Sequence, residues 1–257
     1  MGQAVVIADL HRIRILRINR PESLNALNQA VVVELQSALA DAEQDDNVAV
    51  CVITGAGRAF CAGQDMNEMR ETSSSPSKFP LLLKTLANFS KPLIAAVNGI
   101  GVGFGMTILA HCDLVLMAKS AKLRTPFPQL GLAPEAASSY TFPTRMGWQN
   151  AAYVLMSGRW FSASECHEMG LVWRVVDDVV LLDETREVAG ELALNPIPSL
   201  IATKQLMTSA GRAEQAWAAH NREMAAYETL MGSPANSEAV AAFLQKRAPD
   251  FSKIPGL

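Results

Sequence analysis

A chain of 257 residues is long enough for one large domain or for a domain with an appendage. Its composition is 49% hydrophobic, which supports a sizeable core. Its net charge of −3 gives no basic excess of the kind that favours nucleic acid or an anionic membrane, although a few local cations could still hold an anionic ligand.

The four cysteines, at positions 51, 61, 112 and 166, form no C-x-x-C pair and indicate reduced thiols inside a cell. The N-terminal segment has no long apolar region of the kind that a secretory signal needs, and no apolar run reaches transmembrane length. The last residues, IPGL, differ from a peroxisomal address. We therefore expect a soluble, cytoplasmic protein.

Strand-like and helix-like patterns alternate over about the first 176 residues. Short apolar runs predict strands at residues 4–8, 13–19, 48–54, 93–97, 114–118, 122–124 and 171–176. Helical spacing predicts helices at residues 29–43, 78–89, 106–111 and 150–157. Asn28 is a candidate N-cap for the first of these, and Ser162 with Glu165 forms a capping box for a helix that ends at Gly170. This alternation predicts an α/β core in residues 1–194.

Helical patterns alone follow this core. They cover residues 181–194, residues 199–230 with a break at Gly211, and residues 238–247. We therefore predict a helical C-terminal region in residues 195–257.

A glycine-rich stretch at residues 93–112 joins a strand, a loop and a helix start. Gly101, Gly103 and Gly105 stand at alternate positions, where the lack of Cβ atoms lets the backbone approach another group closely. The dinucleotide fingerprint G-x-G-x-x-G fails at Phe104 and Met106, which argues against NAD, and no P-loop for ATP occurs. Two interpretations stay open: a backbone cradle for an oxygen that becomes negative, or tight helix–strand packing.

A second loop, AFCAGQDM at residues 59–66, also places small residues after a strand. Two such loops could direct two backbone N–H groups at one oxygen and so form an oxyanion hole. Each donor of such a site contributes about 3–4 kcal/mol in well-studied enzymes.

Three segments, together with AFLQKRAPDF near the C-terminus, resemble the enoyl-CoA hydratase/isomerase (crotonase) superfamily. They are AFCAGQDM, KPLIAAVNGIGVGFGM and LRTPFPQLGLAPEAASSYTFPTRMG. The resemblance covers nearly the whole chain and is strongest to the peroxisomal-type 3,2-trans-enoyl-CoA isomerases. It implies a spiral of ββα units with a helical C-terminal trimerisation region, and a homotrimer or a dimer of trimers.

The resemblance also implies roles for individual residues. The backbone N–H groups of Gln64 and Phe104 match the oxyanion-hole donors of the family. The two hydratase carboxylates match Thr107 and Phe127, neither of which can exchange a proton as a carboxylate does. The isomerase carboxylate matches Glu135. These assignments imply double-bond isomerisation of an enoyl-CoA rather than hydration.

The chemistry agrees with a single carboxylate. Hydration must activate water and also protonate carbon, which favours two acid–base groups. Moving a double bond from C3 to C2 only takes a proton from C2 and returns one at C4, so one base between the two carbons suffices.

Glu135 also has a purely structural interpretation. Pro134 to Ala137 read as the first turn of a helix, where an acidic residue is favoured by the helix dipole and is common on surfaces. The dipole would lower the pKa of Glu135, whereas an apolar acyl pocket that includes Phe104, Phe127, Leu130 and Leu132 would raise it.

The resemblance implies that the substrate is an acyl-CoA thioester, with coenzyme A as part of the substrate, no separate cofactor and no metal. Around Ala26, Leu27, Ala62 and Asp65 the family binds the adenine and pantetheine of CoA. The basic pair Lys246–Arg247 lies near the CoA phosphates in the family, or is an ordinary solvated pair. The predicted substrate-binding residues are Ala26, Leu27, Ala62, Gly63, Asp65, Met66, Gly103, Phe127, Leu130 and Lys246.

Two further functions stay open. The chain could catalyse hydration or another thioester reaction of the superfamily, such as dehalogenation or acyl hydrolysis. It could instead bind acyl-CoA without turnover.

Overall fold

The computed structural model of the protein describes residues 2–65, 68, 77–208, 211–245 and 247–254. Its strands are β1 (Val5–Leu10), β2 (Ile13–Ile18), β3 (Val50–Gly55), β4 (Ala59–Cys61), β5 (Leu93–Val97), β6 (Ile100–Val102), β7 (Leu114–Ala118), β8 (Lys122–Arg124), β9 (Phe161–Ser162) and β10 (Arg174–Val176). Its helices are α1 (Gln29–Gln44), α2 (Phe79–Asn88), α3 (Phe104–Thr107), α4 (Ser138–Met146), α5 (Trp148–Ser157), α6 (Ala163–Glu168), α7 (Leu181–Ala193), α8 (Ile197–Met207), α9 (Arg212–Leu230) and α10 (Pro234–Leu244).

The larger sheet has six strands in the order β1-β2-β3-β5-β7-β10. Only β1 and β2 pair antiparallel, and the other neighbours pair parallel. Every residue of β3 and β5 is buried, because a parallel sheet is covered on both faces. Burial on both faces also explains why these two strands are continuous apolar runs in the sequence.

A smaller sheet runs in the order β4-β6-β8-β9. Strands β3, β5 and β7 of the larger sheet are each followed by one short strand of the smaller sheet, namely β4, β6 and β8. The chain therefore winds between the two sheets in successive turns, which confirms the predicted spiral of ββα units.

The predicted helix signals are confirmed where the capping contacts are local. Asn28 accepts a hydrogen bond from the Val31 N–H at the start of α1. Ser162 and Glu165 form the reciprocal capping box of α6. Gly211, with a positive φ, separates α8 from α9.

The predicted helical turn at residues 134–137 is wrong. Helix α4 begins at Ser138, and Ala136 and Ala137 both have left-handed backbone conformations, with φ of 57° and 60°. Such a conformation costs an L-residue about 1–2 kcal/mol, so contacts from elsewhere in the chain must hold it. Glu135 consequently lies ahead of the helix rather than in its first turn.

Three helices follow residue 195, and α9 packs against α2 and α4 of the same chain. Within the described residues, no helix has the length and apolar character needed to cross a membrane.

Candidate active site

The two glycine-containing loops lie side by side. They follow β4 and β6, which are parallel neighbours with Cys61 opposite Gly101. A Cβ atom on Gly63, which has φ of +84°, would lie 2.9 Å from the Val102 carbonyl oxygen. A Cβ atom on Gly105 would overlap with the Cys61 carbonyl oxygen. These glycines therefore serve tight packing, and the packing is what brings the two loops together.

The backbone N–H of Phe104 stands at the start of α3. The first N–H groups of a helix have no partner within that helix. Gly103 precedes it with φ of 52° and ψ of −115°, a conformation that a residue with a Cβ atom rarely adopts. Among the hydrogen bonds that join described residues, none uses the Phe104 N–H.

The backbone N–H of Gln64 also has no hydrogen-bond acceptor among the described residues. Gln64 forms an isolated parallel bridge with Leu27, in which the Leu27 N–H donates to the Gly63 carbonyl and the Asp65 N–H donates to the Leu27 carbonyl. Because backbone groups alternate in direction along an extended segment, the Gln64 N–H points away from Leu27. It donates no hydrogen bond within the described part of the chain.

The carboxylate of Glu135 lies against α3. The Thr107 hydroxyl donates a hydrogen bond of 2.7 Å to Glu135 Oε1, and Thr107 itself is fully buried. Thr107 follows Phe104 by three residues, which is a rise of about 4.5 Å along a helix. The structure therefore places a carboxylate within about one helical turn of the Phe104 N–H.

Burial raises the pKa of Glu135 to about 8, against the hydrogen bond from Thr107, which lowers it, and with a smaller rise from the charge of Glu223. Of the two opposing effects predicted for the pKa of Glu135, the rise caused by burial is therefore larger than any lowering by the helix dipole. Glu135 precedes a left-handed turn, so it is not in the first turn of α4, where the dipole acts most strongly. A carboxyl group with a pKa near neutrality can both accept and return a proton.

The apolar side chains predicted for the acyl pocket are buried or half-buried. Phe104 and Phe127 are buried, whereas Leu130 and Leu132 are half-buried. The Phe104 ring packs edge-on against Phe79 of α2, with the ring centroids 5.5 Å apart. The Leu130 carbonyl accepts a hydrogen bond from the Asn236 side chain of α10, which ties this loop to the C-terminal helices.

The residues predicted to contact CoA come together around the Leu27–Gln64 bridge. Ala26 and Leu27 are buried beside Gly63, and the Ala62 N–H donates to the Leu24 carbonyl. Two of the predicted residues, Met66 and Lys246, lie outside the described residues. The basic neighbour of Lys246, Arg247, forms an ion pair with Glu238.

Sequence reasoning missed Arg20 in this loop cluster. Its guanidinium forms an ion pair of 2.9 Å with Asp65 and donates to the Ala26 carbonyl at 2.7 Å. In the sequence, the Arg20-Pro21 pair after β2 indicates a turn, but it does not indicate which residues Arg20 contacts.

A second residue that was missed, Glu223 of α9, lies under the Glu135 turn. It is 4% exposed, and its two carboxylate oxygens accept the N–H groups of Ala137 at 2.7 Å and Ser139 at 2.8 Å. His111 has its Nε2 2.9 Å from the Ala136 carbonyl oxygen. Burial lowers the pKa of His111 to about 4, so its ring is neutral and fits such a structural role.

Known proteins are similar to this chain in sequence and in fold. Residues 11–254 match the family described as enoyl-CoA hydratase/isomerase. The chain is 36% identical over 248 residues to the 1,2-epoxyphenylacetyl-CoA isomerase of Escherichia coli (strain K12), with 92% of this chain and 94% of that protein covered. It is 35% identical over 251 residues to the 2,3-dehydroadipyl-CoA hydratase of the same organism, with 96% and 98% covered.

A solved structure gives the same result. The enoyl-CoA hydratase/isomerase from Pseudoalteromonas atlantica T6c superimposes with a TM-score of 0.91 at 35% identity, over 96% of this chain and 99% of that chain. The match to the family covers residues 11–254, and the superposition covers 96% of this chain. The chain therefore belongs to the enoyl-CoA hydratase/isomerase family.

Proposed function

We propose that this protein is a 3,2-trans-enoyl-CoA isomerase in which Glu135 moves the proton. The observation that carries the proposal is the hydrogen bond of 2.7 Å between Thr107 and Glu135. It brings one carboxylate beside the helix that begins at Phe104, and its donor is Thr107, which the family resemblance matches to a hydratase acid.

In the proposed reaction, ionised Glu135 removes a proton from C2 of a 3-enoyl-CoA. The C2–H electron pair moves into the C2–C1 bond, and the thioester carbonyl oxygen becomes an enolate oxygen. Two N–H donors, from Gln64 and Phe104, stabilise that negative charge. The enolate then collapses, the double bond forms between C2 and C3, and C4 takes the proton from Glu135. Atoms and charge balance without any co-reactant.

The second acid–base position of a hydratase is also unsuited to proton transfer. Phe127 stands there, is 6% exposed and carries no ionisable group. Water activation and carbon protonation would then both fall to Glu135, which makes hydration the less favoured reaction.

Conversion of 3-hexenoyl-CoA to 2-hexenoyl-CoA, followed for the wild type and for Glu135→Gln, tests this proposal. Gln has nearly the same shape and can still accept the Thr107 hydrogen bond, but it cannot take a proton. We expect kcat to fall by about 10²–10⁴-fold, the usual contribution of a general base. The matched control is Glu228→Gln, because Glu228 is exposed on α9. Near-wild-type turnover by Glu135→Gln would remove Glu135 from the reaction.

Hydration is the second candidate, because one of the relatives is a 2,3-dehydroadipyl-CoA hydratase. Mass analysis of the products from 2- and 3-enoyl-CoA substrates separates the two reactions, since isomerisation leaves the mass unchanged and hydration adds one water. A dominant hydrated product from a 2-enoyl-CoA would favour this candidate. Binding of acyl-CoA without any turnover would favour the third possibility, a non-catalytic binding protein.

We also propose that Ala26, Leu27, Ala62, Gly63 and Asp65 contact the CoA moiety and that the protein forms a homotrimer or a dimer of trimers. Light scattering coupled to size-exclusion chromatography measures the assembly directly. A monomer at micromolar concentration would contradict the second part of this proposal.

A further inference from the structure

The backbone directly after Glu135 is held in an uncommon conformation. Ala136 and Ala137 are consecutive left-handed residues, and neither is a glycine or an asparagine. Such a turn persists only where surrounding contacts determine it. The turn also fixes the direction in which the Glu135 side chain leaves the backbone.

The contacts that hold this turn come mainly from Glu223. Its carboxylate accepts the Ala137 N–H at 2.7 Å and the Ser139 N–H at 2.8 Å, so both of its oxygens are occupied. These N–H groups open helix α4, where a carboxylate complements both the unpaired donors and the helix dipole. Hydrogen bonds between a charged acceptor and backbone donors are stronger than neutral ones.

Three weaker contacts complete the arrangement. The Ser138 N–H donates to the Glu135 carbonyl at 3.1 Å and closes the turn. The Ser138 hydroxyl donates to the same carbonyl at 2.7 Å, and His111 Nε2 lies 2.9 Å from the Ala136 carbonyl. Each of the three acts on a single carbonyl group, whereas Glu223 joins two residues on either side of Ser138. Of these contacts, the one with Glu223 is therefore the one whose loss would change the turn most.

We infer that Glu223 is a positioning residue of this enzyme: its carboxylate holds the Ala136–Ala137 turn and thereby keeps Glu135 against Thr107. The inference rests on the proposed function, in which Glu135 moves the proton. Glu223 does not itself transfer a proton, because both of its oxygens are engaged by backbone N–H groups.

Glu223 also acts on Glu135 through its charge. Three ionisable groups interact with Glu135 through their charges: Glu223 and Tyr227 from α9, and Cys61 from the end of β4. The positive charge of Arg222 in turn lowers the pKa of Glu223. The negative charge of Glu223 raises the pKa of Glu135, whereas the hydrogen bond from Thr107, the larger of the two effects, lowers it. Loss of the charge alone would move the acid limb of the pH–rate profile to lower pH. Loss of the positioning contact also removes the Thr107 hydrogen bond, so it raises the pKa of Glu135 on balance and moves the acid limb to higher pH.

The experiment measures kcat, KM and the pH dependence of kcat/KM with 3-hexenoyl-CoA for the wild type, Glu223→Gln and Glu223→Asp. For Glu223→Gln we expect kcat to fall by about tenfold or more, since a small misplacement of a catalytic group is costly. We expect KM to change little and the acid limb to move to higher pH. Glu223→Asp keeps the charge on a shorter side chain that cannot reach both N–H groups in the same way, so kcat falls and the acid limb also moves to higher pH.

The controls separate this inference from the proposed function. Glu228→Gln, on the exposed side of the same helix, is expected to match the wild type in all three quantities. The inference is overturned if the wild type isomerises and Glu135→Gln does not, yet Glu223→Gln keeps its kcat or moves its acid limb to lower pH. Should Glu223→Gln not fold, a Glu223→Asp variant with lowered kcat and an acid limb at higher pH supports the inference, and any other result overturns it. An inactive wild type would instead count against the proposed function. The pKa of Glu135, from ¹³C NMR of labelled carboxyl groups in the wild type and Glu223→Gln, would then decide the contact: a higher pKa in the variant supports it, and an equal or lower one overturns it.

Discussion

The Thr107 hydroxyl donates a hydrogen bond of 2.7 Å to Glu135 Oε1. A carboxylate at position 107 would lie within hydrogen-bonding distance of Glu135, and two like charges at that distance do not ionise together. Threonine instead donates a hydrogen bond that stabilises the ionised form of Glu135 and lowers its pKa.

Removing that donor is expected to reduce the fraction of Glu135 that is ionised, and so able to accept a proton, at neutral pH. The Thr107 hydrogen bond lowers the pKa of Glu135, so Thr107→Val should raise it further above its value of about 8 and move the acid limb of kcat/KM to higher pH. A hydrogen bond to a charged group contributes about 1.5–3 kcal/mol, which corresponds to a loss of about tenfold or more at pH 7.

Thr107→Ser is the matched control, since it keeps the hydroxyl and loses only a methyl group. We expect its acid limb to stay near that of the wild type. An unchanged profile in Thr107→Val would show that the hydroxyl does not act on Glu135 in solution.

Glu135 should also make the fold less stable as pH rises. Its pKa is about 8 in the native state against an ordinary value of 4.5, so between these values the native state holds a proton that the unfolded state has lost. The free energy of unfolding therefore falls as pH rises through this window. Glu135→Gln lacks this titration, and its Tm should exceed that of the wild type by a growing margin from pH 5 to pH 9.

Thermal unfolding of the wild type, Glu135→Gln and Glu228→Gln at several pH values measures this effect. The exposed Glu228→Gln variant is expected to show no such growth. A constant difference in Tm between Glu135→Gln and the wild type would mean that Glu135 is not buried as a neutral acid.

The helices and strands that can be predicted from sequence are those specified by neighbouring residues along the chain. Strands β7 and β8 are found at their predicted bounds, because their apolar runs are bounded by turns. Strands β4 and β6 have three residues each, too few for a period to appear, and they were predicted as parts of loops. Their pairing is what joins the two glycine loops, so the sequence could indicate the donors of an oxyanion hole but not their proximity.

At the turn after Glu135, the local sequence predicts the wrong backbone conformation. Pro134 and the two alanines favour a helical first turn by local propensity. The left-handed conformation that is found instead is held by Glu223, which lies 86 residues from Ala137 along the chain. A tertiary contact of this length has no local signal, and for that reason Glu223 was missed while Glu135 was found.

Arg20 is expected to act on binding rather than on chemistry. It connects Asp65 to the Ala26 carbonyl, both within the loops proposed to contact CoA. Arg20→Ala removes these contacts but leaves Glu135 and its hydrogen bond from Thr107 in place. We expect the KM for 3-hexenoyl-CoA to rise by about five- to tenfold with kcat nearly unchanged, the pattern of lost uniform binding.

The control for this variant is Arg174→Ala, which removes a surface ion pair with Glu184 at 3.3 Å. Surface ion pairs contribute about 0–1 kcal/mol, so its kinetics should match the wild type. A fall in kcat without a rise in KM for Arg20→Ala would place its role at the reacting end of the substrate.

A methyl group on Gly63 should disable the proposed oxyanion hole with only a modest loss of stability. The Cβ atom would lie 2.9 Å from the Val102 carbonyl and would push the Gln64 loop away from the Phe104 loop. Loss of one oxyanion donor lowers kcat by about 10²–10³-fold. Gly211→Ala is the matched control, because Gly211 has the same φ of +84° and its Cβ would meet only side-chain atoms no closer than 3.7 Å. Both variants should lower Tm through backbone strain, but only Gly63→Ala should lose turnover, and equal kcat values would place the Gln64 N–H outside the reaction.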